Sequence, residues 1–485
     1  MKSSRIYNIL LILFFGFYTV PYAFLIKYWK SWGGIEDYGM IYGLSSAQAF
    51  LSVVGVLFFG LIGVSGLIWA RERLAPATYS VVEYIVLLPS VLPSLFVIIA
   101  VLGAIKNFPL GFYGVVILHI LSLSGFSSVL LLRLFDDKLG VYSCTARSLG
   151  AQGTFFLRKM WPLIYRDVLL VCGVFFFYFL TSISIPLIVG GTGFTSIEKV
   201  IFDQIAVHQN WNAALQYFII QALWLIPVFI WTQSYSSRVA TSNAKMSLGA
   251  SSLGLVTIIT PTLLVLSGLF LRGLPGFQAL AVFPEFHQNL HLVIVGSLLL
   301  GFLTGTLTLL MLLGWSFLSL EPIGFKLLRA LCVPSVSLLS LGYTVFLYHG
   351  VSSFFNAAFA LALIFVPLLY RLGLHPQIAR LEVQREMALQ LGATTGYIFK
   401  KVVFPQVAHQ IFILSGLAAV WSMSDFTISR IILEKDWSLG LWMQSLVNQY
   451  RWDVAVAGCW LLILCGFIVF FFFWSVSRVC RREFM

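Results

Sequence analysis

An acid inside a long apolar run is the first residue that asks for a chemical reason. Asp425 stands in the run 410–433, beside Phe426 and four residues after Trp421. A carboxylate at membrane depth needs a partner, a water-filled cavity or a cationic ligand. Two readings stay open for it. Trp421, Asp425 and Phe426 would together suit a cationic, aromatic solute on a substrate pathway, or Asp425 is held structurally by Arg430 or by a helix end. His119 and Glu83 are the other ionisable groups in apolar runs. His119 reads as a hydrogen-bonded packing residue, and Glu83 as an interfacial residue near Arg71 and Arg73. Phe354 and Phe355 could stack on a ring, although packing and interface anchoring account for most of the aromatic residues.

Catalytic chemistry finds no foothold. The sequence has no G-x-x-x-x-G-K-[ST] to cradle phosphates, no His-Glu-x-x-His and no Gly-x-Ser-x-Gly. Gly190–Gly193 lacks the lysine of a phosphate loop and reads as a tight turn. Cys144, Cys172, Cys332, Cys459, Cys465 and Cys480 are scattered, so they offer no metal site and read as small apolar residues. The chain is expected to be non-catalytic, with no metal and no cofactor of its own.

The most organised polar stretch is 378–405. Ile378, Leu381, Ala388 and Leu391 recur at roughly three- and four-residue steps, with Arg380, Glu382, Arg385 and Glu386 between them, which predicts a helix. Gly392 is a good stop, because glycine enters the left-handed conformation without a side-chain penalty. A shorter helical piece with Tyr397, Ile398, Phe399 and Val402 follows, and Pro405 suits the first turn of the next helix. Helix, sharp corner and short helix between two long apolar segments make a knob that a partner could grip.

A worn copy of this knob lies near the middle of the first half, at 144–162. Gly150 pairs with Gly392 and Pro162 with Pro405, and Cys144 stands opposite Glu386. Other pairs fall at nearly the same offset: Leu88–Val91 with Val333–Val336, Ser182–Ser184 with Ser422–Ser424, and Trp211–Ala214 with Trp452–Ala455. Several such pairs in register argue for duplication.

The elements that must position these residues follow from composition. With 60% hydrophobic and 10% charged residues, the chain of 485 residues is no soluble globular protein. A span needs about 20 apolar residues. Runs at 7–28, 47–70, 80–104, 112–132, 167–190, 213–233, 252–272, 291–316, 327–348, 350–370, 410–433 and 453–477 predict an all-α polytopic membrane protein with about twelve transmembrane helices. They divide into two homologous six-helix halves, 1–245 and 246–485, oriented alike. Arginine and lysine cluster at 133–166, 371–401 and 478–482, which puts both termini and both knobs on the cytoplasmic side. The net charge of +12 then serves topology and contact with anionic lipid, not nucleic acid. The first span lacks a small-residue cleavage site and is expected to be retained.

The stretch 386–405 resembles the EAA loop of permease subunits in binding-protein-dependent ABC importers. In that family a Glu-Ala-Ala precedes a Gly and an aliphatic-x-Leu-Pro. Glu386, Ala388, Gly392, Val402 and Pro405 match at the family spacing, while Met387 replaces an Ala and Phe404 the Leu. The resemblance implies a type I ABC importer permease fold in the bacterial inner membrane. The loop would dock on an ATPase subunit, two such ATPase copies would spend the ATP, and a soluble solute-binding protein would deliver substrate from outside. In the first copy Ala146, Gly150 and Pro162 carry the likeness, whereas Cys144 replaces the acid, Thr145 replaces an Ala, and the Gly-to-Pro spacing is one residue short.

Two loops in one chain resemble the thiamine and ferric-iron branch of these permeases. Ser424-Asp425-Phe426, Asp436, Leu439 and Tyr450–Val456 have the look of thiamine permeases, as do Val189–Gly191, Thr195, Ile197, Glu198 and Ile201. Thiamine or a related cationic solute is expected first and ferric iron second. An ion-coupled secondary transporter is the competing class, since it too is built from repeats with intramembrane acids. A polytopic membrane enzyme would need clustered His, Asp or Cys.

Overall fold

The computed structural model describes residues 2–33, 38–105, 107–150, 153–191, 193–233, 245–246, 250–282, 289–321, 324, 335, 339, 342, 352–433 and 437–484. Among them the regular structure is helical. In chain order the helices are α1 (Lys2–Leu25), α2 (Tyr38–Arg73), α3 (Pro76–Val91), α4 (Ser94–Ala104), α5 (Phe112–Ser148), α6 (Gly153–Leu180), α7 (Ser184–Val189), α8 (Ile197–Ala206), α9 (Trp211–Gln233) and α10 (Ser252–Val282). They continue as α11 (Leu290–Leu318), α12 (Ser353–Leu369), α13 (His375–Arg380), α14 (Glu382–Gln390), α15 (Thr395–Ile398), α16 (Phe404–Ser424), α17 (Thr427–Ile432), α18 (Leu439–Asn448) and α19 (Trp452–Phe484).

Eight helices among the described residues are long and apolar enough to cross a membrane, fewer than the expected number. The chain is thus an all-α, multi-pass membrane protein in character. Exposed Phe50, Phe58, Leu263, Phe270, Leu464 and Phe467 suit a lipid surround, where apolar side chains lose nothing by facing outward. Four expected spans change. The run 167–190 breaks between α6, which ends at Leu180, and α7, which begins at Ser184. The run 80–104 is α3 and α4, bent by 98° at Leu92–Pro93, where a proline cannot continue the helix. The run 410–433 stops at Ser424. The run 350–370 forms the short α12, of 17 residues, and the expected span 327–348 lies outside the described residues but for three of them.

Packing gathers the chain into two compact units, which cut across the sequence halves 1–245 and 246–485. One comprises Met1–Ile35, Val200–Ala222 and Pro275–Met485; the other comprises Glu36–Lys199 and Leu223–Leu274. In the first unit, Phe14 and Tyr18 of α1 share a core with Trp315 of α11, Val366 of α12, Tyr370 and Val407. In the second, Ile258 of α10 shares a core with Val64, Leu67, Leu132 and Ile164. Proline explains how two of these helices are tied in. Pro89 has no N–H to give Ile85, and the freed carbonyl accepts from the Thr262 hydroxyl of α10 at 2.8 Å. Pro367 likewise frees the carbonyl of Leu363, which accepts from Tyr18 of α1 at 2.7 Å. In lipid no water can satisfy such a carbonyl, so a neighbouring helix must.

Local geometries recur at the offset seen in the sequence. Gly150 and Gly392 both have left-handed backbones, φ +75° and +80°. Among the described residues Gln209 and Tyr450, each two residues before a long helix, are the non-glycine residues with positive φ, 50° and 59°. Ser196 and Ser438 accept from Lys199 N and Leu441 N, both at 3.3 Å, and cap α8 and α18. The amides of Ile197 and Leu439 each donate to a serine of an earlier helix, Ser45 at 2.9 Å and Ser297 at 2.6 Å.

Candidate functional site

The corner at 381–405 is built from local rules. The predicted helix is two pieces, α13 and α14, separated at Leu381, whose buried side chain anchors the corner with Ile378. Gln390 ends α14. Gly392 N donates to Leu389 O at 2.9 Å and Ala393 N to Ala388 O at 3.0 Å, the paired bonds of a Schellman turn. A Cβ built on Gly392 would meet no atom within 4 Å, so its positive φ alone calls for glycine. Thr394 then caps α15 by accepting from Tyr397 N.

No residue of α14 is buried. Glu386 is exposed, and around it stand exposed Val383, Met387, Leu389 and Tyr397. Leu391 recurs with Ile378 and Leu381 at helical steps, which would set it on their face of one continuous helix. It is instead 88% exposed, because the helix ends one residue earlier and the turn swings its side chain outward. Ala388 and Val402 are half-buried against the core beneath. The knob therefore offers Val383, Met387, Leu389 and Leu391 beside the two exposed acids Glu382 and Glu386, on a footing that the core holds.

Three tethers that the pattern of apolar residues did not reveal fix the footing. Arg385 donates to Leu320 O at 3.3 Å, Thr395 donates to Glu321 Oε1 at 3.1 Å, and Gln406 donates to Gln384 Oε1 at 2.9 Å. The Glu382–Arg385 spacing was visible and gives an ion pair of 3.5 Å, but with Glu382 exposed it contributes little. Pro405 lies in the first turn of α16, as its missing N–H requires, immediately after a π-helical turn at Phe399–Val403.

The first copy has a different build. Ala146 and Cys144 lie in the last turns of α5, which runs without a break to Ser148; Ala146 packs against the core and Cys144 is exposed. Gly150 is exposed in the turn. Pro162 does not open a helix: it sits inside α6, which begins at Gly153, and its exposed ring is spaced from the turn by more than two helical turns.

Asp425 is not within a continuous helix, which corrects its expected place. Its Oδ2 accepts from Ile428 N at 2.9 Å and Ser429 N at 3.1 Å, so the half-buried carboxylate caps the start of α17 at a break in the apolar run. Of the readings left open, the helix end describes this contact, and Arg430 is exposed beyond it. Phe426 is 1% exposed and presents no open ring face. Trp421 is half-buried and meets Phe365 edge-on at 5.6 Å. Asp436 lies outside the described residues.

His119 is the packing residue that its surroundings implied. Gln48 Nε2 lies 2.8 Å from Nδ1, and Nε2 of the ring lies 3.3 Å from the Ser182 hydroxyl. The amide nitrogen can only donate, so Nδ1 accepts and the other ring nitrogen donates to Ser182. Glu83 pairs with Arg133 at 3.0 Å, not with Arg71 or Arg73. Arg71 pairs with Asp136 at 2.6 Å instead. Gly191 supplies the turn expected at Gly190–Gly193, with φ +57°. Among the described residues no cluster of His, Cys, Asp or Glu could hold a metal ion.

Searches against protein-family models, curated proteins and solved structures return no match to this chain.

Proposed function

We propose that this chain is the membrane permease subunit of an ABC importer, driven by separate ATPase subunits. The observation that carries this reading is the corner at Gly392: a Schellman turn that exposes Leu391, Met387, Val383 and Glu386 together on a braced footing. Exposed apolar side chains beside acids, on a corner tethered to the core, are the kind of surface that buries itself in a partner's groove. The sequence match at Glu386, Ala388, Gly392, Val402 and Pro405 supplies the identity of that partner, an ATPase with a phosphate-binding loop.

In this reading two six-helix halves, about twelve spans in all, form the solute pathway and rock against each other. The recurring pairs Gly150/Gly392, Gln209/Tyr450 and Ser196/Ser438 support the duplication. Both termini and both corners face the cytoplasm of a bacterium, across its inner membrane, and a binding protein delivers solute from the other side. Thiamine or a related cationic solute ranks ahead of ferric iron, on the sequence likeness around Asp425.

The deciding experiment is co-purification of the full chain with ATPases encoded beside it, followed by uptake in vesicles with and without ATP. Stable association and ATP-dependent uptake are expected. Uptake that needs an ion gradient and no ATPase would establish the secondary-transporter class instead. A binding screen of the cognate solute-binding protein against thiamine, its phosphates and ferric salts would name the solute.

A further inference from the structure

We infer that the two corners differ mechanically: the first is a stiff strut strapped by the chain's own connector, and the second is the hinged member that yields. The strap is the pair Lys245–Met246, packed in the unit that holds α2, α5 and α6. Asp136 of α5 accepts the Met246 N–H at 2.7 Å, and Arg71 of α2 donates to the Met246 carbonyl while pairing with Asp136 at 2.6 Å. Both backbone groups of Met246 are thus held by one ion pair. Its side chain is 2% exposed, in a core that includes Leu139 and Phe156 and against which Ala146 of the corner also packs. One residue earlier, the carbonyl of Lys245 accepts from Ser143 at 3.5 Å and lies 3.9 Å from the Cys144 sulfur. Cys144 stands opposite Glu386, so the connector lies against the position of the missing acid. Lys138 of α5 reaches Asp167 of α6 at 3.7 Å and ties the outgoing helix as well.

The second corner is entered through several short helices, where the first is entered through one long one. A π-helical turn at Tyr370–Leu374 precedes α13, and another at Phe399–Val403 precedes α16. Each is followed by a proline in the next first turn, Pro376 and Pro405. A proline there has no N–H to give to a carbonyl of the preceding π turn. A further break falls at Leu381, and α14 has no buried residue. The first corner has none of these interruptions on its incoming side, between Phe112 and Ser148, and its proline, Pro162, lies within the outgoing α6.

The consequence for transport rests on the importer reading above: a motor pulling on both corners would turn the body about the first and flex the second. The stiffness contrast itself needs no motor, and hydrogen exchange on the full chain in lipid nanodiscs reads it directly. Amides of 136–148 should exchange about ten-fold or more slower than those of 376–392. Asp136→Ala should raise exchange at 136–148 by about ten-fold and leave 376–392 unchanged, while Asp136→Asn, which keeps an acceptor for the Met246 amide, should raise it less. Lys245→Cys should form a disulfide with native Cys144 under mild oxidation, whatever the Asp136 variants do to folding. Equal exchange in the two corners, or no cross-link, overturns the inference. Failure of any ATPase to bind would remove the importer reading and leave this contrast standing.

Discussion

The hydroxyl of Tyr18 donates to the carbonyl of Leu363, 345 residues away, at 2.7 Å. That carbonyl lacks its own helical donor because Pro367 occupies the place. Tyr18→Phe should therefore lower the melting temperature of the full chain in detergent, at a cost on the order of 1 kcal/mol. In a Pro367→Ala background, where an N–H returns, the same change should cost less. An equal loss in both backgrounds would show that the bond to Leu363 O is not what Tyr18 contributes.

Gly392 tests the corner without touching its neighbours. Because no atom lies within 4 Å of an added Cβ, the obstacle to a side chain is the left-handed backbone alone. Gly392→Val should distort the turn, at about 1–2 kcal/mol, and uncouple ATP hydrolysis from uptake while insertion stays normal. Gly392→Asn should retain most uptake, since asparagine tolerates that region. Undiminished coupled uptake in the valine variant would count against a docking role.

Asp425 separates charge from hydrogen bonding. Asp425→Asn keeps an acceptor for the Ile428 and Ser429 amides, whereas Asp425→Ala removes it and should cost about 0.5–2 kcal/mol of stability. If the charge serves a cationic solute, the asparagine variant should assemble normally and lose uptake. Wild-type uptake there would leave Asp425 as a cap and nothing more.

The two acid positions should behave unequally. Glu386→Ala should weaken association with the ATPase several-fold, on the scale of about 1 kcal/mol for a rim charge, and Cys144→Ala should leave it within error. Equal effects in a binding assay would remove the asymmetry between the corners.

Much was legible from residues alone where the cause is local or periodic. Apolar runs of sufficient length announce membrane helices because lipid accepts only closed backbone hydrogen bonding. Gly392 and Gly150 announce their turns because a left-handed backbone favours glycine, and the offset between the two corners survives in side-chain type. Tertiary structure alone decided the rest. Which arginine takes Asp136, which hydroxyl answers Pro89 or Pro367, and whether Asp425 lies within a helix or caps one all depend on partners tens to hundreds of residues away. Leu391 makes the same point at short range: its spacing places it on the buried face, yet one residue of early helix termination turns it outward. Periodicity fixes a side chain's direction only while the helix lasts, and where a helix stops in an apolar run is set by which neighbours can satisfy the backbone it leaves open.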